Sequence, residues 1–174
     1  MPGSDDSDYE MGKRYRYRLY GDLLDGAIAG LLGGGSIMVL TLLYDALLFK
    51  PLVTPNFLAQ TLLGREGVAV DGTAQAKLVQ IGMFTVLHLA AFVFLGIVLV
   101  KIFRITGIRK TLLFGGLYGL TVCTSLFGVS LQLSGAEVSL EPKRLVLLLV
   151  NFIAGVVMAG YLQARTPRRK GEQQ

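Results

Sequence analysis

The sequence predicts an all-α integral membrane protein: a four-helix bundle of transmembrane helices with both termini cytoplasmic and a short extracytoplasmic interfacial helix. Three observations carry that prediction. The 174 residues are 52% hydrophobic, with 22 glycines and a mean hydropathy of +0.56, a balance typical of chains that reside in lipid. Four apolar runs, at residues 23–49, 78–100, 111–133 and 145–162, can each cross most or all of a hydrocarbon core of about 30 Å at about 1.5 Å per helical residue. Twelve of the 17 Lys and Arg lie in the two terminal segments and in the connection between the second and third runs. Because Lys and Arg accumulate on the cytoplasmic side, this bias places both termini there.

Residues 1–20 read as a disordered cytoplasmic tail, acidic and then basic. The opening MPGSDDSDYEMG carries too little apolar surface to offset the entropy of ordering, so it is expected to be disordered. In KRYRYRLY, Lys13, Arg14, Arg16 and Arg18 are interspersed with tyrosines, a mixture suited to a lipid-headgroup layer. The net charge of +5 is therefore directed to membrane lipids, and nucleic acid is not an expected partner. Residues 166–174 form a second basic cytoplasmic tail, which leaves 21–165 as the transmembrane domain.

In the first run Gly26, Gly30 and Gly34 recur every four residues and so share one slowly drifting stripe. Close approach of backbones at small residues is a main source of helix association in lipid, and this stripe is expected to meet another helix of the same bundle. Gly115 and Gly119 repeat the device in the third run, with Cys123 at the same spacing, and Gly155 lies in the fourth. Cys123 is the only cysteine, so no intrachain disulfide can form and it reads as a small core residue. Asp45 falls near the first stripe and should face protein, with Lys50, Lys77 or interface water as its expected partner.

After the first run, Thr54 can cap a helix, Pro55 suits its first position and Gly64 can close it. The resulting helix, about 55–63, covers only about 13 Å and is expected to lie in the interface as a belt. His88, the only histidine, sits near the middle of the second run, with Ala91 and Gly96 marking the protein-facing side. An ionisable group in the bilayer is costly, so the expectation is a neutral imidazole bonded to a helix carbonyl, a Thr or a Ser. A haem ligand, proton relay or quinone contact is the functional alternative. A faint internal repeat is also visible. Each half has a glycine-striped helix and then a helix with a polar residue near its middle and a base at its end: His88 and Lys101, then Asn151 and Arg165. Such halves would be related by a pseudo-twofold along the membrane normal.

The sequence contains no Gly-rich phosphate loop, CxxC pair, HExxH or nucleophile motif, and one histidine cannot make a metal site alone. The expectation is therefore a non-enzymatic protein without metal or cofactor. It is read first as an accessory or structural subunit of a larger membrane complex or of its own oligomer, with other membrane subunits or further copies as partners. A small transporter or channel, with Asp45, His88 and Asn151 along a polar route, is the second reading. A redox or quinone-linked subunit is the third. The four spans, the Thr-Pro segment and the mid-membrane histidine resemble features of small bacterial membrane proteins, which implies a bacterial inner membrane location.

Overall fold

The computed structural model of the chain describes residues 5–48, 52, 54–55, 59, 74–106, 112–133 and 144–165. Helices α1 (Asp5–Leu47), α2 (Ala74–Thr106) and α3 (Leu112–Tyr118) are followed by a π turn (Gly119–Cys123), α4 (Thr124–Leu133) and α5 (Arg144–Arg165). Among the described residues there is no strand. Three stretches, Leu19–Leu47, Leu78–Thr106 and Leu145–Arg165, are long and apolar enough to cross a bilayer. Their length and composition mark the chain as membrane-embedded. The helical run that starts at α3 is shorter in apolar extent, Leu112–Leu126, and is interrupted by the π turn.

The element boundaries correct several expectations. Residues 5–20, read from composition as a disordered tail, continue α1 as helix. Extending an existing helix is far cheaper than nucleating one, so the apolar run can carry its helix back through a polar segment. The side chains of Lys13, Arg14, Arg16 and Arg18 lie outside the described residues. So do residues 166–174 and most of the interfacial helix at 55–63, of which Pro55 and Ala59 are described as helical. Helix α2 runs past Lys101 to Thr106, and α5 past Leu162 to Arg165.

Glycine decides how the helices meet. A Cβ at Gly26 would fall 2.6 Å from the Ile97 Cα, and one at Gly30 would fall 2.6 Å from the Val93 Cα. Gly34 lies against Phe92 and Leu89, so the whole first stripe is spent on α2. Gly96 of α2 returns the contact, with Gly26 O and Gly30 Cα occupying the place of its missing side chain. Gly33, one residue off the stripe, faces α5 instead: its Cβ would come 2.7 Å from Met158 Cγ and 3.3 Å from Ala154 O. Further along, Gly155 of α5 is held against Gly115 and Gly119. Backbones this close exchange Cα–H···O contacts and dense dispersion, which lipid cannot supply in their place.

Small residues gather where the helices cross, and many large apolar side chains face outward. Ala29, Ala154, Ala159 and the glycines at the crossings, such as Gly30, Gly96 and Gly155, are buried, whereas Leu24, Val39 and Leu43 of α1, Val86, Leu87 and Phe94 of α2, and Leu113 and Leu145 are exposed. An apolar exterior of that extent is an aggregation hazard in water and is the required surface in a bilayer.

The glycine contacts predict a position-specific response to one methyl group. Gly96→Ala and Gly155→Ala should each destabilise the bundle by about 1–3 kcal/mol through overpacking. Gly35→Ala and Gly82→Ala, where nothing lies within 4 Å, should change stability by no more than about 1 kcal/mol. Reversible unfolding in mixed detergent micelles reads the difference, and equal effects at the two pairs would contradict this packing.

Candidate functional site

The polar interior is built from residues on different helices. Asp45 lies near the end of α1 and is only 3% exposed. Its partner is Thr54, which donates its backbone N–H to Oδ2 at 2.7 Å and its hydroxyl to Oδ1 at 2.5 Å. The expected partner was Lys50, Lys77 or interface water, and the two lysine side chains lie outside the described residues. Thr54 reaches Asp45 because the chain reverses after α1 through Leu52, whose φ of 65° is in the left-handed region that L-residues rarely enter. Both carboxylate oxygens thus receive charge-assisted bonds, and one of these satisfies an N–H at the start of the next helical segment.

Asn151 of α5 is 4% exposed and donates through Nδ2 to Thr124 Oγ1 at 3.4 Å. Thr124 caps the π turn, and the backbone oxygen of Asn151 lies against Gly119 at its start. The same side chain and backbone therefore brace both ends of the widened turn. Nearby, the Tyr118 hydroxyl donates to Leu95 O at 2.9 Å and joins α3 to α2. The hydroxyls of Ser36, Thr41 and Thr121 bond to carbonyls of their own helices, the usual local solution inside a membrane.

His88 departs from expectation. Its Nε2 is buried and has no hydrogen-bond partner among the described residues. Aromatic rings surround it instead: Phe84 and Phe92, one turn to either side on α2, have centroids 5.5 Å and 4.8 Å away. The i±4 spacing that stacks side chains along a helix face explains the sandwich. Asp45, His88 and Asn151 are not joined to one another by any hydrogen bond among the described residues. No group of three or more His, Cys, Asp and Glu comes together among the described residues.

A charged cluster that sequence reading missed lies at the opposite end of the bundle from Asp45. Asp22 pairs with Arg104 at the end of α2, and Asp25 lies 3.5 Å from Arg165 Nε at the end of α5. Arg165 also donates to Tyr161 Oη at 3.2 Å. The two acids, three residues apart, share a face of α1, and that spacing was the available signal. Exposed pairs of this kind contribute at most about 1 kcal/mol each, so they set alignment more than stability. They also show that α2 and α5 both run antiparallel to α1.

No protein-family model matches this chain, and no curated protein or solved structure is significantly similar to it. The functional reading therefore rests on the chain's own residues.

Two substitutions test the polar contacts. Thr54→Val should cost about 1–2 kcal/mol, more than the roughly 0.6 typical of neutral intramembrane bonds, and should cost nothing further in an Asp45→Ala background. Additive losses in that double-mutant cycle would dissolve the Asp45–Thr54 pair. His88→Phe should leave stability within about 1 kcal/mol, since an apolar ring replaces an unpaired polar one; a drop of 3 kcal/mol or more, on the order of a lost buried network, would mean that Nε2 has a partner.

Proposed function

We propose that the chain is a non-enzymatic integral membrane protein that serves as an accessory or structural subunit of a larger membrane complex, or of its own oligomer. The observation that carries this reading is how the interior is used. Glycines on four helical segments are consumed by contacts within the chain, and Asp45, Asn151 and Tyr118 are each engaged by a partner in the same chain. Groups committed to holding helices together are not free to converge on a substrate. In this reading α3, the π turn and α4, with 7, 5 and 10 residues, form a fourth span. Both termini then face the cytoplasm of an inner membrane, as the distribution of bases favours. The segment after Thr54 lies as a belt on the other side, anchored by Asp45.

A small transporter or channel is the second reading, and one observation favours it: the buried Nε2 of His88 has no hydrogen-bond partner among the described residues. An intramembrane ionisable group with no partner is a candidate for transient use by an ion or proton.

Purification in a native-like detergent, followed by mass spectrometry, tests the first reading. A membrane subunit that co-purifies in fixed ratio, or a discrete oligomer of this chain, is the expected result. A monodisperse monomer that conducts ions in proteoliposomes, with flux abolished by His88→Asn, would replace it with the second reading. A co-purifying chromophore would point to a redox subunit. Topology has its own measurement. Single cysteines at Ser4, Thr73, Gly107 and Gln174 in a Cys123→Ser background should be labelled from outside intact cells only at Thr73, and labelling at Gly107 would reverse the orientation.

A further inference from the structure

The glycine contacts of the first two helices recur in the second half of the chain in one consistent register. Gly30 is pressed against Phe92 O, and Gly119 against Asn151 O. The Gly26 carbonyl fills the place of a side chain at Gly96, and the Gly115 carbonyl does so at Gly155. Phe92 precedes Gly96 by one helical turn, as Asn151 precedes Gly155. The helices that carry the paired glycines agree without a gap: Leu23, Leu24, Gly26, Gly30, Leu31 and Ser36 coincide in type with Leu112, Leu113, Gly115, Gly119, Leu120 and Ser125. Two hairpins, α1–α2 and α3–α5, are thus copies of one packing unit. The polar residues alone suggest a different alignment, His88 with Asn151. The contacts pair Asn151 with Phe92.

Equivalent hairpins make two seams, α1 against α5 and α2 against α3, and here the equivalence is broken. At the first seam Ala29 is fully buried and Gly33 lets Ala154 O approach to 3.3 Å of a would-be Cβ. In the shared register Tyr118 stands where Ala29 does, and Leu95 where Ala154 does. The corresponding carbonyl, Leu95 O, is therefore met by the end of a long side chain, the Tyr118 hydroxyl at 2.9 Å. A ring pair also crosses this seam, Phe103 with Phe114, at 5.4 Å between centroids. One seam is closed by backbone approach, and the other is bridged by side chains. The π turn begins one residue after Tyr118, whereas the equivalent part of α1 is regular α-helix. A π turn carries a displaced hydrogen-bond register that can shift along a helix, so it is a natural point of give.

We propose that the bundle is a duplicated helical hairpin in which the α1–α5 seam is fixed while the α2–α3 seam is a latch, held by the Tyr118 hydroxyl on Leu95 O, along which the second hairpin opens. This is independent of which complex the protein joins. Opening there separates α3 from α2 while Gly155 keeps α3 on α5 and Gly33 keeps α5 on α1.

Distances between spin labels in nanodiscs, in a Cys123→Ala background, test the proposal. One pair spans the latch at Ile105 and Leu113, and the other spans the fixed seam at Leu24 and Gln163; all four positions are exposed. In the otherwise unaltered protein the latch pair should show the broader distribution, with a longer-distance component that the fixed pair lacks. Tyr118→Phe keeps the ring and removes the bond. It should raise that component about threefold, the size expected of one intramembrane hydrogen bond, and leave the fixed pair unchanged. Equally narrow distributions at the two seams would overturn the latch, whether or not the variant folds. So would a Tyr118→Phe protein in which both pairs shift together or neither does.

Discussion

The whole structure depends on the fact that in a bilayer an apolar side chain gains nothing by leaving its solvent. A soluble bundle is held by burying leucines, whereas here many leucines face outward and the closest contacts between helices are between backbones. Gly96 against Gly26 and Gly30, and Gly155 against Gly115 and Gly119, do what a hydrophobic core does in water. They do so by a different force: dispersion and weak Cα–H···O contacts that need the chains to come within a side chain's width. From that follows the placement of glycine and alanine where the helices cross, with larger side chains such as Leu99, Met158 and Leu162 filling the core beside them.

The same solvent governs the polar interior. A hydrogen-bonding group without a partner has no water to turn to, so its partner must come from the protein. Asp45 obtains two donors from one threonine by way of a strained reversal at Leu52. Asn151 takes the hydroxyl that caps the π turn, and Tyr118 crosses to another helix for a carbonyl. His88 is handled otherwise, its ring enclosed by Phe84 and Phe92. The polar groups thus follow the helix contacts; they fasten what glycine has already brought close.

What was legible in the sequence is what repeats at the helical period. Gly26, Gly30 and Gly34 fall on one face by geometry alone, and so do Gly115 and Gly119; all are found in contact within the chain. Smallness by itself was not enough, because Ala91, read as protein-facing, is exposed. The π turn was not read from the sequence, since nothing in the spacing of Gly-Leu-Thr-Val-Cys separates it from the helix on either side. The helix over residues 5–20 was missed because composition measures whether a segment can fold alone, and this one is an extension of an existing helix. Thr54 was recognised as a capping residue, but not that its hydroxyl would be spent on Asp45, because a reversal through positive φ at a leucine has no sequence signal.

Helix α1 carries the heaviest set of these demands. It meets α2 along Gly26, Gly30 and Gly34, meets α5 at Gly33, reaches Arg104 and Arg165 through Asp22 and Asp25, and receives Thr54 at Asp45. A helix packed closely on two faces needs small residues on both, and two stripes about 100° apart require glycines at adjacent positions. That is the physical reason for Gly33 and Gly34 side by side, a pairing that would weaken a helix in water by about 1 kcal/mol per residue. In the bilayer no water competes for the backbone groups, so the helix is held by its own hydrogen bonds and can be built from residues chosen for closeness. Helix propensity is the property the membrane makes dispensable, and α1 has exchanged it for two packing faces.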